Sequence, residues 1–279
     1  MRGEECNELE PVVFVTLDGS PLNFVLAGFL WMNRLQTRDW PEIELPAPQI
    51  EISGGVFSQP SVDQPCSMFA PLHYEPNYAY PLLVWLHGPG DDEQQLKRIM
   101  PLISLRNYIG VSIRGTQPVG KANERKGYTW SSSLAHVSQA EDQVFAAISL
   151  AQSRFNVSSE RVFLAGYDLG GTMALRIALA NPHEFGGVIS IGGAFPQENQ
   201  PLRRLHELRR LRMLIAYARD SASFPLQQVC DTIRLLHVAK MKVDLHQYPC
   251  PQQLTTAMLE NADRWIMEQV TGMPAMATA

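Results

Sequence analysis

The chain has 279 residues, 45% of them hydrophobic and 18% charged, with a formal net charge of −5. That length is enough to bury one large α/β core, and the charge balance excludes the basic footprint by which nucleic acid is held. The acidic start Met1–Glu10 is no secretory leader, and the apolar stretch Val12–Met32 is interrupted by Asp18-Gly19 and Pro21, which rules it out as a membrane span.

Residues 1–60 carry the weakest pattern. Leu22–Leu35 suits a short apolar helix, and Trp40–Pro48 reads as a Pro-punctuated connector. An N-terminal arm packed on a main domain of residues 61–279 is expected. Self-association into a homo-oligomer is its other use, because an apolar arm left in water is costly. From Cys66 the pattern sharpens. Cys66–Ala70 and Tyr80–Leu86 read as strands separated by a polar, Pro-containing turn. The segment His87-Gly-Pro-Gly-Asp-Asp92 follows, then a helix over Glu93–Ile99 and a strand over Tyr108–Ile113. A loop with Gly115 and Trp130 leads to a helix whose Val144, Ile148, Ala151 and Phe155 share one face. Further on, Gly187–Ile191, Met213–Tyr217 and Val243–Tyr248 read as strands, and Leu226–Val238 and Thr256–Val270 as helices. Buried apolar strands alternating with amphipathic helices predict an α/β fold, a mostly parallel sheet with helices on both faces.

Between these elements lies Arg161-Val-Phe-Leu-Ala-Gly-Tyr-Asp-Leu-Gly-Gly171, a strand pattern that ends at Gly166 and gives way to a helix pattern from Thr172 to Ala180. Gly166, Asp168 and Gly170 fit the G-x-S-x-G spacing of a nucleophile elbow, which presents its central residue on a strained turn. Here the centre is aspartate. With Leu86-His-Gly-Pro-Gly-Asp91, Asn181–Val188, Ala218-Arg-Asp220 and Tyr248-Pro-Cys-Pro-Gln252, the run resembles the phospholipase/carboxylesterase group of serine esterases. The resemblance covers about Cys66 to Val270 and implies the α/β-hydrolase fold, without cofactor or metal. It places an oxyanion loop at His87, Gly88 and Pro89, a nucleophile position at Asp168 and the triad acid at Asp220. The position of the family's histidine falls on Gln252.

Three departures from that family have physical consequences. Asp168 at a helix N-terminus is expected to be ionised with a lowered pKa, and a stabilised carboxylate is a poor acyl nucleophile. Gln252 donates and accepts hydrogen bonds but exchanges no proton near neutral pH, which leaves Asp220 without an imidazole to orient. Pro89 has no N–H where the family uses a backbone oxyanion donor, and the other donor, the Leu169 N–H, faces the Asp168 carboxylate. Losing one such donor costs about 10²–10³ in rate, and losing the serine or histidine about 10⁶. The expectation is a cytoplasmic α/β-hydrolase-fold protein with a vestigial triad at Asp168, Asp220 and Gln252. Its former oxyanion region is lined by Pro89, Leu169, His87 and Gly88, and it is retained for ligand binding or interaction.

Two other readings stand beside it. Epoxide hydrolases and haloalkane dehalogenases use an aspartate at this elbow to attack an alkyl carbon, and a residual carboxylic-ester hydrolase is the milder variant. Either needs a base for the second step, and His246, on the strand before Gln252, is the candidate. Pro196–Leu211 is too short for the helical cap that the alkyl-attacking families insert. The arginine-rich Pro201–Arg212 reads as a solvated face with its leucines on the core, or as a docking surface for an acidic partner or nucleotide. Cys6, Cys66, Cys230 and Cys250 have neither metal nor disulfide-scaffold spacing, and no histidine stands at metal-ligand spacing.

Overall fold

The computed structural model describes residues 13–17, 65–120, 127–198, 202–221 and 225–272. Eight strands form one sheet in the order β1-β10-β9-β8-β7-β3-β4-β2. The inner six, β3 (Tyr80–Leu86), β4 (Ile109–Ile113), β7 (Val157–Tyr167), β8 (Gly187–Ile191), β9 (Arg212–Ala218) and β10 (Lys242–Tyr248), are parallel. The edges, β1 (Val13–Leu17) and β2 (Cys66–Phe69), run antiparallel to β10 and β4. A short hairpin, β5 (Gln117–Pro118) with β6 (Tyr128–Thr129), sits in what the sequence reads as a loop.

Every residue of β3, β4 and β8 is buried, which is why these strands are apolar without alternation. On one face, Leu82, Val84, Leu86, Val162 and Leu164 pack under α2 (Leu134–Arg154), α3 (Leu169–Ala180) and α5 (Leu226–Val238). On the other, Leu83, Trp85, Phe163 and Ala165 pack under α1 (Gln95–Ile103) and α6 (Thr256–Thr271). The indole N–H of Trp85 reaches Gln95 Oε1 at 2.6 Å, and that of Trp265 reaches Asp244 Oδ2 at 2.6 Å, so both buried rings find acceptors. The mostly parallel sheet with helices on both faces is the architecture that the element pattern predicts.

The main differences from the sequence reading lie in α1, β7 and β1. α1 runs past Pro101 to Ile103, because Met100 and Ile103 bury their side chains against the sheet. β7 begins at Val157, four residues before the predicted start. β1 comes from within residues 1–60, where no strand is predicted, and the expected helix at 22–35 and connector at 40–48 lie outside the described residues. The segment 202–212 folds with Leu208 and Leu211 in the core and Arg203, Arg204, Arg209 and Arg210 exposed around the short α4 (Leu205–Leu208).

Candidate functional site

β7 ends at Tyr167 and α3 starts at Leu169, so one residue makes the whole turn. That residue, Asp168, has φ 52° and ψ −121°. Positive φ is uncommon outside glycine, and aspartate bears it better than most residues. The turn is held by Asp168 N–H donating to Ile191 O at 2.8 Å and Thr172 N–H donating to Asp168 O at 3.0 Å. The glycine spacing around it is steric. A Cβ on Gly166 would stand 2.5 Å from the Gly170 carbonyl, and one on Gly170 would stand 2.3 Å from Leu86 O. The start of α3 is therefore pressed against the end of β3, where the His87 loop begins.

That loop is fixed by His87, which is fully buried. Gly115 N–H donates to His87 Nε2 at 2.8 Å, so Nδ1 carries the proton and donates to Gly88 O at 2.7 Å. Trp130 Nε1 donates to His87 O at 2.8 Å. Burial holds the imidazole pKa below its ordinary value, as this neutral tautomer requires. Gly88 packs on the Tyr167 ring, which a Cβ would meet at 2.6 Å. Pro89 and Gly90 are exposed at the tip, and Gly90 N–H is taken by Tyr128 O at 2.9 Å.

On the opposite side, Gln252 reaches over the end of β8. Its Nε2 donates to Gly192 O at 2.8 Å, and the same amide lies toward the Asp168 carboxylate and favours its charge. The Leu169 N–H, at the start of α3, favours that charge as well. Gln252 Oε1 is buried without a hydrogen-bond partner among the described residues. The expected lowering of the Asp168 pKa is not found: burial raises it, and the two donors only partly offset that shift. Desolvation outweighs the helix terminus because the carboxyl is half withdrawn from water at the turn.

The predicted residues divide into those brought together and those kept apart. Asp168, Leu169 and Gln252 meet, with His87 and Gly88 against the elbow through Tyr167 and Gly170. Asp220 stays out. It lies on an exposed turn, its carboxylate pairs with Arg219 Nε at 3.3 Å, and its N–H donates to Cys250 O at 3.2 Å. Burial, with Asp220 beside it, raises the Cys250 pKa, which disfavours the thiolate. His246 sits in mid-strand on β10 between Asp244 and Tyr248, whose side chains bond to α6. Burial and Arg264 lower its pKa to about 4. It belongs to the α6 face rather than to the Asp168 turn. Sequence reasoning missed Gly192, whose φ of 65° makes the turn that receives Gln252. The Gly192-Gly193 pair after a predicted strand was the available signal. No group of three metal-ligating side chains occurs among the described residues, and no helix among them is long and apolar enough to cross a membrane.

A mostly parallel eight-stranded sheet with a one-residue strand-to-helix turn on its central strand defines an α/β-hydrolase-fold protein. Over residues 75–268 the sequence matches the phospholipase/carboxylesterase family, and the chain belongs to that family. It is 26% identical over 129 residues to NocK of Nocardia uniformis subsp. tsuyamanensis, a protein named for an inferred esterase activity. That match covers 44% of this chain and about a third (36%) of the relative's length. Arabidopsis thaliana SOBER1 superposes with a TM-score of 0.58 at 18% identity, covering 69% of this chain and 100% of that one. A Mesorhizobium loti carboxylesterase superposes at 0.59 and 18% (76% and 98% covered), and a Bacillus cereus carboxylesterase at 0.57 and 15% (75% and 96%). At these identities the structural likeness speaks for the fold.

Proposed function

We propose that this chain is a non-catalytic member of the phospholipase/carboxylesterase family, whose former ester site at Asp168 is kept for binding or assembly. The observation that carries the reading is the set of partners of the Asp168 carboxylate. One neighbour is the Leu169 N–H, the donor an oxyanion would need, and the other is the Gln252 amide, and both favour the carboxylate charge. A carboxylate thus stands where an oxyanion would form, and no imidazole bears on it. Pro89 supplies no second donor. Asp220, paired with Arg219, has nothing to orient.

The reading with Asp168 as a nucleophile on an alkyl carbon would leave an alkyl-enzyme ester that needs a base for hydrolysis. His246 does not supply one from the α6 face. The protein is assigned to the cytoplasm on its unpaired Cys66, Cys230 and Cys250.

The test is hydrolysis of short- and medium-chain p-nitrophenyl esters by wild type, Asp168→Ala and Asp168→Ser/Gln252→His/Pro89→Leu. Wild type and Asp168→Ala are expected to be indistinguishable from buffer, and the triple variant to turn over. Wild-type turnover abolished by Asp168→Ala would overturn the proposal.

A further inference from the structure

The loop that leaves β8 passes from the elbow, where Gly193 packs on Asp168 O, to the flank of α5. Between that loop and α5 lies a cavity of about 430 Å³. Its walls are mainly apolar, from Phe195, Pro196, Leu202 and Leu235, and its size falls within the range of small-molecule sites, roughly 300–1,000 Å³. Leu235 stands over it 46% exposed, a large apolar side chain that the described residues leave uncovered.

Two charged residues reach the cavity, Arg203 and Asp231. Asp231 is already engaged. Its Oδ1 accepts from Arg234 at 3.2 Å, and both oxygens accept from Gln227 Nε2, at 3.2 and 3.3 Å. Arg203 has no carboxylate partner among the described ion pairs, whereas its neighbour Arg204 reaches Glu207 at 3.8 Å. Arg209 donates from Nε to Ala239 O (3.3 Å) at the end of α5, and Arg210 is exposed beside it. Of the two charges that line the cavity, Asp231 is thus balanced by its own partners and Arg203 is left to face a ligand. An apolar slot with one uncommitted guanidinium fits a ligand with an alkyl body and a single anionic head, because arginine binds a carboxylate through two parallel N–H bonds.

We propose that this cavity binds an alkyl carboxylate, with the chain against Phe195, Leu202 and Leu235 and the head group on Arg203. The site is separate from Asp168 and does not rest on the reading of that residue. The experiment is calorimetric titration of the full chain with decanoate below its micelle concentration. Octanoate and decyltrimethylammonium are the companion ligands, and wild type is compared with Arg203→Gln and Leu235→Trp.

Saturable one-to-one binding of decanoate is expected. Octanoate should bind about tenfold more weakly for its two missing methylenes, and the cationic amphiphile should not bind. Arg203→Gln should weaken decanoate at least tenfold, and Leu235→Trp, which fills the slot from a half-exposed position, should abolish it without lowering the melting temperature. Leu235→Gln, which keeps the volume and removes the apolar wall, serves if the tryptophan variant unfolds, and should also weaken binding. No saturable binding to wild type overturns the proposal. So does binding that both variants leave unchanged, or equal binding of decyltrimethylammonium.

Discussion

The Asp168 carboxyl is held above its usual pKa by burial, and that has a measurable effect on stability. A carboxyl whose folded pKa is raised takes up a proton more readily in the folded state than in the unfolded one. The fold therefore gains stability as pH falls through the folded pKa and bears the cost of the buried charge above it. Asparagine tolerates positive φ and carries no charge. Asp168→Asn should thus stabilise the protein at pH 7, and the gain should shrink as the pH approaches the carboxylate range. Thermal melts of both proteins at pH 7 and pH 5 measure this, and an asparagine variant no more stable than wild type at pH 7 would contradict the burial argument. Gly192 belongs to the same network. Its φ of 65° and the Gln252 amide, 2.6 Å from a Cβ built there, mean that a side chain at 192 would strain the backbone and displace Gln252 together.

At the scale of elements, the inner strands were legible because burial on both faces writes them as continuous apolar runs. β8 falls at Gly187–Ile191 as read, and the elbow was legible because its glycines are spaced by contact distances rather than by propensity. α1 was cut short at Ile99 because a proline inside a helix is locally unfavourable, a cost that the burial of Met100 and Ile103 overrides. β1 was missed because its strand character depends on a partner more than two hundred residues away: Val13 pairs with Gln247 and Leu17 with Val243. Of the candidate site, the meeting of Asp168 with Gln252 was legible in the family pattern. The exclusion of Asp220 was not, since it depends on which way one exposed carboxylate turns. The β1 pairing is open to a direct test. In an antiparallel ladder, successive residues direct their N–H groups alternately toward and away from the partner. Phe14→Pro and Val15→Pro, made separately, should therefore differ. One deletes a ladder bond to β10 and should cost on the order of 1–3 kcal/mol, while the other alters an N–H directed away from β10 and should cost much less. Two equal and negligible losses in urea unfolding would mean that β1 does not pair as described.

Over the whole molecule, two histidines, His87 fully buried and His246 half-buried, set the response to acid. His87, at the end of β3, is kept neutral because it accepts the Gly115 N–H, and His246, in β10, is lowered to about 4 by burial and by Arg264. For a histidine with a depressed folded pKa, the unfolded chain binds the proton first. Stability is therefore full above the unfolded value of about 6.5 and declines as pH falls toward the folded pKa. Asp168 and Asp263, both raised by burial, act in the opposite direction. Comparing wild type with a His246 variant between pH 7.5 and 5.5 separates the histidine contribution from theirs. A histidine that stays neutral in the fold at pH 5.5 costs roughly 1.4 kcal/mol relative to pH 7.5, the loss expected from His246, and His87 adds to it in the same direction. Replacing His246 by glutamine should remove its share of about 1.4 kcal/mol and leave the His87 share. Urea unfolding at the two pH values, on wild type and His246→Gln, reads this directly. A flat wild-type profile would mean that both rings are protonated in the fold, which the Gly115 N–H at Nε2 forbids for His87.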